Sequence, residues 1–230
     1  MIMQPAIGVA GCGEMGLPMA KNLQQSGFEV YGYDVRPKRE FGDFSDRMLE
    51  NAETLAANCP VVISVVRDWA QTEELCFGTK GLFSGETQPD ILVISSTLSP
   101  KLIPVLRRSI PENTKLIDAP MSGAPFRAED GTLTFMLGGE PDVISEIMPA
   151  FNAMGSEINH LGPLGQGMTC KVLNNMLAAS SVVAVREILN AADALGFPRD
   201  RLLDVASSSS GATWFGDNLD KISWAKEGYS

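Results

Sequence analysis

Lys171 and Asn175 stand four residues apart in the run GQGMTCKVLNN, residues 165 to 175. On a helix that spacing puts an amine and a carboxamide on one face, so both can reach a single cleft. A lysine that moves protons needs such a place, because burial lowers the ammonium pKa toward neutrality, where the group both gives and takes a proton. Gly165 and Gly167 ahead of it suit a helix start at which backbone comes close to another group. Taken alone, the same lysine is an ordinary solvated helix residue, and only its setting argues otherwise.

A second constellation supplies that setting. Gly11-Cys-Gly13-Glu-Met-Gly16 follows an apolar run directly and opens the helical pattern LPMAKNLQQSG. Gly11 permits a tight turn, Gly13 leaves room for a pyrophosphate, and Gly16 lets the helix pack on the sheet. Glu14 and Met15 belong to the same turn, at a helix N-terminus facing the phosphates. Asp34 ends the next apolar run, about 20 residues past the glycines, where a carboxylate accepts bonds from both hydroxyls of an adenosine ribose. Its charge opposes a ribose 2′-phosphate and favours NAD over NADP. Arg36 and Arg39 pull the other way, since either guanidinium can turn toward a phosphate.

These residues require a scaffold, and the spacing of β-branched runs provides one. Ala6 to Ala10, Phe28 to Tyr33, Val61 to Val66, Ile91 to Ser95 and Lys115 to Ile117 alternate with helical segments, the pattern of a doubly wound parallel sheet. Thr132 to Leu137 and Glu157 to His160 are expected as edge strands flanking one helix, Glu140 to Met154. A long helix, about Gly167 to Leu195, is stopped by Gly196 and Pro198 and followed by a short one over Arg199 to Ala206. The expected fold is α/β: a Rossmann domain over 1–163, then a long interdomain helix and an incomplete all-α domain over 164–230.

Composition narrows the partners. A net charge of -10 argues against nucleic acid and anionic membrane surfaces. No run of 18 apolar residues occurs, and Asn174, Asn175, Arg186, Glu187 and Asn190 make the long helix too polar for a bilayer. Cys12, Cys59, Cys76 and Cys170 form neither a CxxC pair nor a dense scaffold, so free thiols in the cytoplasm are expected and no metal site is supported. The lone histidine, His160, lies off the lysine's helix face and reads as structural.

Four segments carry a family likeness: GCGEMGLPMAKNL, SSTLSP (95 to 100), DAPMSGAPFRAEDGTL (118 to 133) and GPLGQGMTCKVLNN (162 to 175). Together they resemble the β-hydroxyacid dehydrogenases, which include 3-hydroxyisobutyrate, tartronate semialdehyde and threonate dehydrogenases. The resemblance implies NAD(P)-linked interconversion of a small hydroxy acid and its aldehyde or keto form. It makes Lys171 the general acid/base and Asn175 a substrate ligand. Ser122 and Gly123 fall in the segment that holds the substrate carboxylate, Thr97 falls near the nicotinamide, and Val66, at the end of the third strand, lines the adenosine side. It also implies a homo-oligomer built through the helical domain.

The chain departs from that pattern at Ala124, where the family has a second glycine, and at Arg67 and Asp68. The family also continues with further helices past the position of Ser230, so the helical domain is expected to be incomplete. A rival expectation follows from that: a weakly active or inactive dinucleotide-binding or interaction protein of the same fold. Lys171, retained with Thr97, Ser122 and Asn175, argues for the enzyme.

Overall fold

The computed structural model describes residues 5–221, so the last nine residues of the expected helical segment lie outside the described residues. Five short strands form the main sheet: β1 (Ile7–Ala10), β2 (Val30–Tyr33), β3 (Val61–Ser64), β4 (Ile91–Ile94) and β5 (Lys115–Asp118). Their order is β2-β1-β3-β4-β5, and every pairing is parallel. After β1 the chain moves to one side to make β2 and then to the other to make β3. The carboxyl ends of β1 and β3 therefore flank a switch point, where ligands of such sheets bind.

The helices between strands are α1 (Gly16–Gln25), α2 (Ala52–Asn58), α3 (Trp69–Phe77) and α4 (Ile103–Ser109). Local sequence signals start two of them. Asn51 accepts a bond from the Thr54 N–H at 2.8 Å to cap α2, and Asp68 accepts one from Gln71 at 2.9 Å to cap α3. Strand residues Ile7, Val9, Val61, Ile63, Ile91 and Val93 face one apolar core with α1, whose Met19, Ala20 and Leu23 are buried. Val62, Leu92 and Ile94 face the other, with α2, α3 and α4. Burial on both faces explains why the strands read as unbroken apolar runs.

Within the α/β region the structure departs from the sequence expectation in three places. The later strands do not extend the main sheet: β6 (Met121–Ser122), β7 (Leu133–Leu137) and β8 (Gly155–His160) make a second one, with α5 (Pro125–Glu129) between β6 and β7. β7 pairs antiparallel with β6 and parallel with β8, so its two edges are already used. Just past β7, Gly138 makes an antiparallel bridge to Asp118 of the first sheet. The helix expected over Glu140 to Met154 is two, α6 (Pro141–Glu146) and α7 (Met148–Met154). Pro149 has no N–H for the carbonyl one turn back, and the chain breaks at Ile147 with φ -105° and ψ 11°. Finally, β3 stops at Ser64, so Val66 lies in the loop beyond it rather than at its end.

α8 (Gln166–Ala194) runs for 29 residues and is followed by α9 (Arg199–Ser207) and α10 (Trp214–Asp217). It ends at Gly196, φ +66°, with the Phe197 N–H donating back to the Ala192 carbonyl at 2.8 Å. Contrary to the expectation from its polar residues, α8 is long and apolar enough to cross a bilayer by length and composition, with a window of mean hydropathy 1.3. Its Val, Leu, Met and Ala residues outweigh the scattered Asn and Ser. Its first turn is nevertheless fixed inside the α/β unit, as shown below.

The chain divides into two compact units, Met1–Lys171 and Val172–Ser230. The boundary expected at 163 lies in the loop before α8, whereas the contacts divide the chain within that helix. In the second unit Leu189, Ala192 and Phe215 are buried, while Val172, Leu173, Met176 and Leu177 of α8 are exposed.

Candidate functional site

The glycine turn is shaped by close approaches. Gly11 has φ +94°, and a Cβ there would lie 2.8 Å from the Val65 carbonyl carbon, so only glycine fits without strain. A Cβ on Gly16 would collide with the Gly11 carbonyl oxygen, which lets α1 begin directly against the turn. Around Gly13, by contrast, the space is open to 4 Å, as a backbone that receives a bulky anion requires. Glu14 is exposed and Met15 half-buried beside it. Gly11 N–H donates to the Tyr33 carbonyl at 2.8 Å and Val65 N–H to the Ala10 carbonyl at 2.7 Å. The turn, the end of β2 and the Val65-Val66 loop thus sit together at the switch point.

Asp34 follows β2 at once, with only 9% of its side chain exposed. It does not stand alone. Arg36 pairs with it, Nε to Oδ1 at 3.0 Å and Nη2 to Oδ2 at 3.3 Å. Cys12, inside the glycine turn, is buried, and its thiol is pushed up to about 12 by that burial and then by the Asp34 charge. It is a protonated core thiol, not a nucleophile.

The carboxyl end of β4 carries Ser95, Ser96 and Thr97. Ser95 and Ser96 are buried, and their hydroxyls, like that of Ser64 at the end of β3, have no hydrogen-bond partner among the described residues. Thr97 is exposed. Buried hydroxyls without partners at the carboxyl edge of a parallel sheet suit a polar ligand edge. With the cleared space at Gly13 and the tight Gly11–Gly16 contact, they fit a dinucleotide.

Ser122 sits half-buried in β6 opposite Thr134. Gly123 follows with φ +141°, and a Cβ there would lie 2.9 Å from Leu133 and 3.1 Å from the Arg127 side chain. That crowding explains the glycine. Ala124, the departure from the family pattern, precedes Pro125 and the start of α5.

Lys171 lies one turn into α8 and is 8% exposed. No hydrogen bond or ion pair reaches its amine among the described residues, and burial holds its pKa below the ordinary lysine value. Asn175 follows four residues later on α8, exposed and belonging to the second unit.

One residue that anchors this region escaped the sequence reading. Asp118, at the end of β5, is fully buried and accepts the Gly165 N–H at Oδ1 and the Met168 N–H at Oδ2, both at 2.6 Å. Burial pushes its carboxyl above the ordinary range, against those two N–H groups, which favour the carboxylate. A Cβ on Gly138 would strike Asp118 Oδ1, and one on Gly167 the Met136 carbonyl, so both glycines make room for the clamp. Met168 in turn accepts the Leu98 N–H on its sulfur at 3.2 Å. The first turn of α8 is thereby tied both to β5 and to the loop after Thr97. The only local hint was a lone Asp at the end of an apolar run. His160 places Nε2 3.0 Å from the Gly139 carbonyl and 3.1 Å from that of Gly162, a structural bridge.

Comparison with known proteins agrees with this geometry. Residues 6–162 match the family described as the NAD-binding domain of 6-phosphogluconate dehydrogenase. Residues 165–226 match the one described as NAD-binding of NADP-dependent 3-hydroxyisobutyrate dehydrogenase. The chain is 30% identical over 225 residues to human mitochondrial 3-hydroxyisobutyrate dehydrogenase, covering 96% of this chain and 67% of that protein. It is 31% identical over 220 residues to L-threonate dehydrogenase of Cupriavidus necator, covering 94% and 74%. The solved structure of Mycobacterium tuberculosis 3-hydroxyisobutyrate dehydrogenase with L-serine superposes with a TM-score of 0.78 at 29% identity, covering 92% of this chain and 73% of that one. The sheet order, the glycine turn and these matches together place the chain in the β-hydroxyacid dehydrogenase family, NAD(P)-dependent oxidoreductases that act on CH–OH groups of hydroxy acids.

Proposed function

We propose that this protein interconverts a small hydroxy acid of the 3-hydroxyisobutyrate, glycerate or threonate type and its carbonyl form, with Lys171 as general acid/base. The observation that carries this reading is the buried amine of Lys171, unpaired among the described residues, on a helix start that Asp118 and Leu98 fix at the carboxyl edge of the sheet. Bound NAD(P) supplies the hydride acceptor or donor. As hydride leaves the substrate carbon, the hydroxyl becomes acidic and the Lys171 amine takes its proton; in reverse, the ammonium protonates the alkoxide oxygen. Burial lowers the Lys171 pKa, the direction that makes the neutral amine more available as a base.

Gly11, Gly13, Glu14, Met15 and Gly16 hold the pyrophosphate, Asp34 and Val66 the adenosine end, and Thr97 the nicotinamide end. Ser122 and the Gly123 N–H bind the substrate carboxylate, and Asn175 orients the hydroxyl beside Lys171. The exposed apolar side chains of α8 support a homo-oligomer assembled through the helical unit, and the four free thiols support a reducing, cytoplasmic setting. The test is a screen of 3-hydroxyisobutyrate, glycerate, threonate and related acids, following NAD(P)H absorbance. Turnover of at least one is expected; NAD(P) binding without turnover of any would overturn the proposal.

A further inference from the structure

Ser122 and Gly123 share their surface with a cation that the sequence did not single out. Ser122 on β6 stands directly across from Thr134 on β7, so the two side chains lie on one face of the small sheet. Leu133 and Phe135, on either side of Thr134, are buried in the core, and the alternation of strand side chains turns Thr134 and Ser122 away from it. Arg127 of α5 reaches this same face, its Nη1 donating to Thr134 Oγ1 at 3.5 Å. Its stem packs on Gly123, where a Cβ would lie 3.1 Å from Arg127 Cβ and 3.3 Å from Cδ. Two hydroxyls, a guanidinium and a glycine backbone are thereby gathered at one place.

The arginine is firmly placed, yet its charge is not used. Arg127 N–H donates to the Ala124 carbonyl, and Thr132 N–H donates to the Arg127 carbonyl, each at 2.9 Å. Asn22 of α1 donates from Nδ2 to the Ala128 carbonyl at 2.7 Å, which ties α5 to the helix that the glycine turn opens. The Arg127 residue is half-buried, but its guanidinium has only the long contact to Thr134, leaving its other N–H groups without a partner among the described residues. No carboxylate pairs with it among those residues, although Glu157 is the register partner of Thr134 on β8. The Ser122 hydroxyl also lacks a partner among them. A fixed, half-buried cation with free donors suits an anion, and the planar fork of arginine suits a carboxylate in particular.

We propose that Arg127 is a further substrate-binding residue: its guanidinium takes the substrate carboxylate together with the Ser122 hydroxyl and the Gly123 N–H, and Thr134 steadies it. The proposal rests on the reading that Ser122 and Gly123 receive that carboxylate. Steady-state kinetics of the full chain test it, on whichever hydroxy acid wild type oxidises, with Arg127→Ala, Arg127→Gln and Arg127→Lys and with the Kd for NAD(P) measured alongside. The Ala and Gln variants should raise KM about 10- to 100-fold, the scale of charge-assisted bonds to one carboxylate, while kcat and the Kd for NAD(P) stay near wild type. Arg127→Lys keeps the charge and should recover part of the loss. An unchanged KM in the Ala and Gln variants overturns the proposal. So does a Lys variant no better than Gln, or a loss of kcat and NAD(P) affinity together, either of which would mark Arg127 as packing support for Gly123. NAD(P) binding by wild type without turnover of any hydroxy acid would sink the hydroxy-acid reading and this proposal with it, whereas wild-type turnover with indifferent Arg127 variants sinks this proposal alone.

Discussion

Replacing Asp118 with Asn changes one atom at the point where β5, β7 and α8 meet, and its cost can be worked from the contacts. The carboxylate satisfies two buried backbone donors, Gly165 N–H and Met168 N–H, at 2.6 Å each. The amide oxygen of Asn can satisfy one. Its NH2 group then faces the other N–H, leaving a buried donor unpaired beside a second donor. An unsatisfied buried donor costs about 1–3 kcal/mol, and loss of a helix N-terminal cap falls in the same range, about 0.5–2 kcal/mol. For a chain of this size that corresponds to a fall in Tm of roughly 2–10 °C. Asp118→Ala strands both donors and should cost more, about 2–5 kcal/mol. Because Lys171 is three residues past Met168 on the same helix, a displaced first turn also misplaces the amine. The Asn variant should therefore lose kcat at least tenfold, the scale on which small misplacements act, while the Kd for NAD(P) stays near wild type. Urea melts and steady-state kinetics read both effects. A variant that melts within about 0.5 kcal/mol of wild type, the scale of a neutral surface change, and keeps its kcat would refute this reasoning.

Two further outcomes follow from the same geometry. Burial lowers the Lys171 pKa from its ordinary 10.5. A lysine with a lowered folded-state value contributes stability that is fully present above the unfolded value and is lost as pH falls through the lowered one. Lys171→Met, which does not titrate, should therefore be more stable than wild type in urea at pH 7 and lose that advantage as pH approaches 10.5. A variant less stable than wild type at pH 7 would contradict the burial of an unpaired ammonium. Gly16→Ala places a methyl group against the Gly11 carbonyl oxygen and should cost about 1–3 kcal/mol and weaken NAD(P) at least tenfold by calorimetry, whereas Gly13→Ala, where space is open, should leave stability within about 0.5 kcal/mol and weaken the cofactor alone.

Much of the scaffold was legible because its causes are local. The apolar runs at Ile7, Val30, Val61, Ile91 and Lys115 each became a parallel strand, and the glycine turn announced the helix it opens. The break between α6 and α7 was also written in the chain, at Pro149, but a continuous helical pattern hid it. What stayed illegible depends on distance. Asp118 meets partners 47 and 50 residues away, and nothing in DAP marks a carboxylate that will cap a helix. The second sheet arises because β7 finds partners on both edges, a competition that no single strand reveals. Asp34 and Arg36 were each visible, but their pairing depends on a turn geometry and on the Cys12 carbonyl. In α8 the scattered Asn, Arg and Glu side chains hide a mean hydropathy of 1.3 that emerges only over a long window of the helix.

The central claim is that the Lys171 amine moves the proton in hydroxy-acid oxidation. Its most direct test is single-turnover kinetics of Lys171→Ala on whichever hydroxy acid wild type oxidises, with cofactor affinity measured in parallel. The variant should turn over at least about 10²-fold more slowly than wild type, the scale of a lost general acid/base, with the Kd for NAD(P) unchanged. A variant that oxidises substrate within threefold of the wild-type rate would contradict it.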